Sequence, residues 1–156
     1  MRFINPPFRS EEEASQFLER MRWPDNVTCP KCGNANRGFY DMAQCKGTAS
    51  KKSPEGKIRH GLKKCRACRL EFRSTYGTPF HGIKVPLDVL LAAIVLLNNR
   101  TSISSFSALS NELGVKRDTA TRLFDAVRAN ANLRVQRGVN RRELTLESWP
   151  ELAADI

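Results

Sequence analysis

Long hydrophobic runs are missing from this sequence. The longest uncharged apolar stretch, Val89 to Leu97, is about half of what a bilayer crossing needs. The opening residues, Met1-Arg2-Phe3 with Pro6-Pro7 and then Glu11-Glu12-Glu13, lack the apolar segment of a signal peptide. No membrane or export route is expected, so a cytoplasmic, nucleoid-associated location is. Aromatic residues are scarce, with two Trp, two Tyr and eight Phe, and several are needed for a core. Few remain as stacking platforms, which weighs against an RNA ligand. Histidine occurs only at His60 and His81. The first is expected on a solvated strand and the second in a turn, so neither is an expected metal ligand. What is present, 156 residues with 40% hydrophobic and 27% charged, describes a folded chain of one ordinary domain or two small ones. A small module plus a full-size catalytic domain is not expected in that length.

Acidic residues are short in number too, 16 against 26 Lys+Arg, for a formal charge of +10. The excess is concentrated. Residues 29–80 carry twelve basic and three acidic groups, and residues 81–139 carry eight and four. The two ends are slightly acidic, with four basic and five acidic groups over 1–28 and two and four over 140–156. A positive field in the middle of the chain attracts polyanions, and nucleic acid is the natural partner.

The cysteines narrow the class. Four of the five form two C-x-x-C pairs, Cys29-Pro30-Lys31-Cys32 and Cys65-Arg66-Ala67-Cys68. An odd total without an export signal argues against a disulfide scaffold. A redox pair would open a helix after an apolar strand, and neither pair does. Two short knuckles instead offer four thiolates to one ion, and zinc prefers such a closed four-sulfur tetrahedron. Iron suits so basic a shell less. Lys63, Lys64, Arg66 and Arg69 flank the second knuckle and would offset the −2 charge of a zinc tetrathiolate. Cys45 is expected to be a free thiol.

Ser10-Glu11-Glu12-Glu13 reads as a capping box ahead of an apolar stripe at Ala14, Phe17, Leu18 and Met21, ending before Pro24. Arg37 to Met42, Lys57 to Lys64 and Leu70 to Thr75 read as short strands, and residues 46–56 as a flexible loop. Short hairpins held by two knuckles make a zinc ribbon, whose stability must come largely from the metal. Leu87 to Leu97 is apolar on almost every side, which predicts a central buried helix. A helix from Ser104 to Leu113, a tight turn at Gly114-Val115 and a third helix from Arg117 to Asn130 follow. Helix, glycine turn, helix is the helix-turn-helix arrangement.

In that arrangement the start of the third helix enters the major groove. The residues there are Lys116, Arg117, Asp118, Thr119, Thr121 and Arg122. Arg117 and Arg122 suit guanine edges, Thr119 or Thr121 a phosphate or a thymine methyl, and Lys116 a phosphate. The plainer reading is a solvated helix face, with Asp118 favouring the helix dipole.

Several motifs together resemble a known family. Arg22-Trp23-Pro24-Asp25, Cys29-Pro30-Lys31-Cys32-Gly33 and Lys64-Cys65-Arg66-Ala67-Cys68-Arg69 are similar to the zinc-ribbon N-terminus of bacterial insertion-sequence transposases. The similarity runs on through Gly77-Thr78-Pro79-Phe80-His81-Gly82-Ile83-Lys84-Val85-Pro86-Leu87. It resumes at Ile103-Ser104, Leu113-Gly114-Val115, Thr119-Ala120 and Val127-Arg128. It implies a zinc ribbon joined to a DNA-recognising helix-turn-helix. In the family a DDE nuclease follows, whose two-metal chemistry needs carboxylates converging from separate strands. After Asn130 the acids are only Glu143, Glu147, Glu151 and Asp155, so no catalytic role is expected of this chain. Ser148-Trp149-Pro150-Glu151 looks like the start of a short final helix, with Trp149, Leu152 and Ile156 free to dock on the body or on a partner.

The expected fold is therefore α+β. An N-terminal helix packing on the ribbon occupies 1–28, the four-cysteine zinc ribbon 29–80, a helix-turn-helix domain 81–135, and a tail with a short helix 136–156. The expected metal ligands are Cys29, Cys32, Cys65 and Cys68, holding one structural Zn2+. The expected DNA contacts are Lys116, Arg117, Thr119, Thr121, Arg122, Lys63, Lys64, Arg66 and Arg69. The expected function is sequence-specific binding of double-stranded DNA by a transcriptional regulator derived from a transposase DNA-binding region. The alternatives are a protein-binding adaptor that holds RNA polymerase or a phage or host factor, with the tail as its anchor, and a truncated, inactive transposase. A palindromic target would imply a homodimer.

Overall fold

The computed structural model describes residues 8–43, 45–98, 103 and 105–129, together with the backbone of 134–137 and 144–147. The first helix, α1 (Glu11–Arg22), begins where the sequence places it, because Ser10 Oγ accepts the Glu13 N–H at 3.2 Å. The Glu13 carboxylate reaches back to the Arg9 N–H at 2.8 Å, one residue further than a strict capping box. The helix stops at Trp23, whose N–H bonds the Glu19 carbonyl, and Pro24 follows.

A three-stranded antiparallel sheet comes next, in the order β1 (Phe39–Asp41), β2 (Lys63–Cys65), β3 (Glu71–Phe72). Tyr40 pairs with Lys64, and Lys64 in turn with Glu71. The expected strand over Lys57–Lys64 is reduced to its last residues. Gly61 adopts φ +70° in a turn closed by the Leu62 N–H on the Arg59 carbonyl, and this breaks the run. Nor is 46–56 a loose loop. Bridges between Lys46 and Ile58 and between Ser50 and Ser53 close it into a narrow arm inserted between β1 and β2.

Three further helices follow, α2 (Leu87–Asn98), α3 (Phe106–Leu113) and α4 (Arg117–Ala129). Apolar on nearly every side, α2 packs against α1, α3 and α4 and forms the middle of the core. Ala14, Phe17 and Leu18 of α1 join that core, as do Leu109 and Leu113 of α3 and Ala120, Leu123 and Val127 of α4. The apolar stripe of α1 thus faces the other helices, while its polar edge faces the ribbon. A two-stranded hairpin, β4 (Arg134–Arg137) and β5 (Leu144–Glu147), pairs Arg134 with Glu147. Alternation of apolar and polar residues in Leu144-Thr145-Leu146-Glu147 was the available strand signal. The final helix expected from Ser148 lies outside the described residues. Among the described residues no helix is long and apolar enough to cross a membrane.

Candidate metal centre and its surroundings

Each C-x-x-C pair closes its own tight turn, and the two turns are built alike. In the first, the Gly33 N–H bonds the Cys29 carbonyl at 3.0 Å and the Cys29 N–H bonds the Asn34 carbonyl at 2.9 Å. In the second, Arg69 bonds Cys65 at 3.0 Å and Cys65 bonds Leu70 at 2.9 Å through the same atoms. The repeat extends to the dihedral angles, with Gly33 at φ +67° and Arg69 at φ +65°. These bonds curl each turn so that both of its sulfurs face one point.

The four Sγ atoms of Cys29, Cys32, Cys65 and Cys68 lie within 4.8 Å of one another. Cys29 and Cys68 are 3.5 Å apart, and Cys32 and Cys65 3.7 Å. A tetrahedron with Zn–S bonds of about 2.3 Å places its sulfurs about 3.8 Å apart. The cage fits one zinc ion, held by four thiolates with no position left for water, so the metal is structural. Burial pushes the Cys29 thiol up to about 12. Burial also raises Cys65, but the N–H groups of Cys68 and Ala67, with Asn34 and Cys32, outweigh it and bring that thiol down to about 6. Asn34 Nδ2 lies 3.5 Å from Cys65 Sγ and supports its negative charge. Cys45 is an exposed free thiol outside the cage, and neither histidine belongs to it.

Aromatic rings back the centre. Trp23 and Phe39 each meet Phe72 edge-on, with centroids 5.7 and 5.6 Å apart. The buried part of this cluster is only Cys29, Cys65 and Phe72. The Arg22-Trp23 pair has a structural reason that sequence alone did not reveal. Arg22 Nη1 donates to the carbonyls of Ser74 at 2.8 Å and Tyr76 at 2.7 Å, with that of Arg73 at 3.3 Å. It ties the end of α1 to the segment leading from the ribbon to α2.

The cations expected to meet DNA fall into distinct situations. Lys63 and Lys64 are adjacent in a strand, so their side chains leave on opposite faces. Lys63 points inward and pairs with Glu19 of α1 at 3.0 Å, its side chain only 14% exposed. It therefore serves the docking of ribbon on helix. Lys64 is on the outer face, bonded to Glu71 at 3.3 Å. Arg66 and Arg69 are exposed, and their Cζ atoms lie 4.7 and 5.5 Å from the centroid of the Tyr40 ring. A left-handed backbone at Arg69 costs about 1–2 kcal/mol relative to glycine. An exposed cation–π contact returns only about 0.5–1 kcal/mol.

Between α3 and α4, Gly114 takes φ +64° as the cap of α3. Ser110 fastens the turn from both sides: its carbonyl accepts the Val115 N–H at 3.2 Å, and its hydroxyl donates to the Val115 carbonyl at 2.8 Å. That second bond was not legible in the sequence. With Ala120, Leu123 and Val127 buried, Lys116, Arg117, Asp118 and Arg122 are left exposed along the start of α4. Arg117 leans over the Phe106 ring at 4.9 Å. Thr119 is half-buried, and so is Thr121, whose hydroxyl donates to the Arg117 carbonyl at 3.0 Å. Lys116 and Arg122 have no ion-pair partner among the described residues.

Residues 9–71 match the family model described as a transposase zinc-ribbon domain. No curated protein and no solved structure matches the chain.

Proposed function

We propose that this protein, whose residues 9–71 match the model of a transposase zinc-ribbon domain, binds double-stranded DNA as a non-enzymatic regulator. The domain type supports nucleic-acid binding, and the +10 charge supports a polyanionic ligand. The observation that carries the finer reading is the α3–turn–α4 unit. Its glycine cap and the Ser110 lock hold two helices at a fixed bend, and Lys116 and Arg122, without ion-pair partners among the described residues, lie at the outer start of the second. A helix so placed fits the major groove. In this reading Arg122 reads a base edge, Lys116 and the half-buried Thr119 meet phosphates, and Arg117 divides its time between Phe106 and the groove.

The ribbon's share of binding is smaller than its lysine count suggests, because Lys63 and Lys64 already have acidic partners. Role and target as a transcriptional regulator derived from a transposase remain part of the same proposal. Selection from random duplex DNA by the zinc-loaded full chain tests it. A consensus should emerge, and Arg122→Ala should cost about 1–3 kcal/mol on that consensus and little on unrelated duplexes. If no sequence is enriched, or the variant loses affinity equally for all duplexes, base reading by α4 is refuted.

A further inference from the structure

Tyr40 is one of two large apolar side chains that stay exposed among the described residues, at 43%. It stands on the outer face of β1, opposite Lys64. Both arginines of the second knuckle, Arg66 and Arg69, lie against its ring, and neither has a carboxylate partner among the described residues. Arg69 is also the only non-glycine residue with positive φ among the described residues. The equivalent position of the first knuckle is Gly33, with the same hydrogen bond and nearly the same angle. The turn therefore accepts glycine and is strained by anything else. The contact with Tyr40 is too weak to offset that strain, so the arginine at this position points to a use outside folding.

We propose that Arg66, Arg69 and the Tyr40 hydroxyl form a clamp for one backbone phosphodiester of duplex DNA. The inference rests on the DNA-binding reading and adds to it a sequence-independent contact on the ribbon. Guanidiniums present forked N–H donors that match phosphate oxygens, and the phenol supplies one more donor. Contact with the ring limits how far the two arginines wander before a phosphate arrives, which lowers the entropy lost on binding. Lys64, on the same face, is held back by Glu71 and is not part of the clamp.

Arg69→Gly separates use from folding, because glycine relieves the backbone. Zinc-loaded wild type, Arg69→Gly and Tyr40→Phe would be compared by fluorescence anisotropy on one labelled duplex across a salt titration, with zinc content and thermal melting measured in parallel. The clamp predicts that Arg69→Gly melts no lower than wild type and keeps its zinc. It should nevertheless bind about tenfold more weakly, with a log–log salt slope shallower by up to about 0.9, the value for one whole phosphate, since Arg66 stays in place. Tyr40→Phe should weaken binding by about threefold and leave the slope unchanged. Wild-type affinity and slope in zinc-loaded Arg69→Gly overturn the clamp while leaving DNA binding intact. Loss of zinc in step with affinity also overturns it, because the arginines then only balance the charge of the thiolates. Failure of the wild type to bind any duplex overturns the DNA-binding reading and the clamp with it.

Discussion

At the scale of single residues, the binding of ribbon to helix depends on Arg22. Its guanidinium is buried, and burial lowers its pKa from the usual arginine value; the group nevertheless stays charged at neutral pH. Removing it leaves the buried Ser74 carbonyl and the half-buried Tyr76 carbonyl without their donor. Arg22→Met is expected to destabilise the chain by about 3 kcal/mol, with Arg22→Lys recovering only part, since an ammonium cannot reproduce the planar fork. Urea denaturation of both variants checks this, and equal midpoints for Met and Lys would refute it. Gly61 acts at the same seam. A Cβ there would collide with Ser15 Oγ and come within 2.8 Å of Glu19 Oε1, at a φ that side chains rarely adopt. Gly61→Ala is therefore expected to cost about 2–3 kcal/mol, read as a lower thermal midpoint. A midpoint like that of wild type would mean that α1 and the ribbon are not in close contact.

Among the elements, α1 faces two neighbours, the ribbon and α2. Its stripe at Ala14, Phe17 and Leu18 was readable from helical spacing, but that spacing does not say which neighbour receives it. The tertiary answer is α2, and the opposite edge carries Glu19 toward Lys63 and Glu11 toward Lys57 at 3.8 Å. The ends of α1, α2 and α4 fall close to where capping and periodicity put them, because those signals act within a turn or two of chain. Strands fared worse. Lys57–Lys64 alternates like a strand, yet its pairing ends at Gly61, since pairing depends on partners far along the chain. The β4–β5 pair escaped notice for another reason: four residues of alternation, as in Leu144-Thr145-Leu146-Glu147, are a short signal beside the capping pattern that follows.

For the whole molecule, two cores of unlike character are joined. Among the described residues the helical core buries fifteen residues, fourteen from the four helices and Phe80 from the segment ahead of α2. The apolar cluster around the metal centre buries three, and two of those are metal ligands. Zinc therefore holds the ribbon, whereas apolar packing holds the helices. A strong chelator is expected to unfold the ribbon and leave most of the helical circular dichroism. In a Trp149→Phe background the emission of Trp23 should shift to the red as its contact with Phe72 is lost. Full retention of both signals after zinc removal would contradict this division. Acid acts through the same bonds. Zinc lowers the pKa of each thiol it binds, so the stability it confers is complete at neutral and higher pH. It is lost as the pH falls and protons take the thiolates. Release of zinc to a chromophoric chelator is therefore expected to rise as the pH falls below neutrality.

The metal was legible in the residues themselves, because a C-x-x-C turn aims two sulfurs by local geometry and two such turns meet at an ion. The glycine turn between α3 and α4 was legible on the same ground. What only the tertiary structure decided is which charges remain free. Lys63 and Lys64 are indistinguishable neighbours in a string of letters, but a strand sends them to opposite faces, one into an ion pair with α1 and the other to the surface. Tyr40 and Arg69 stand twenty-nine positions apart, and only the antiparallel register of β1 and β2 brings ring and guanidinium together. Chemistry that acts over a few bonds can be read along the chain, whereas surfaces are made by distant segments in contact.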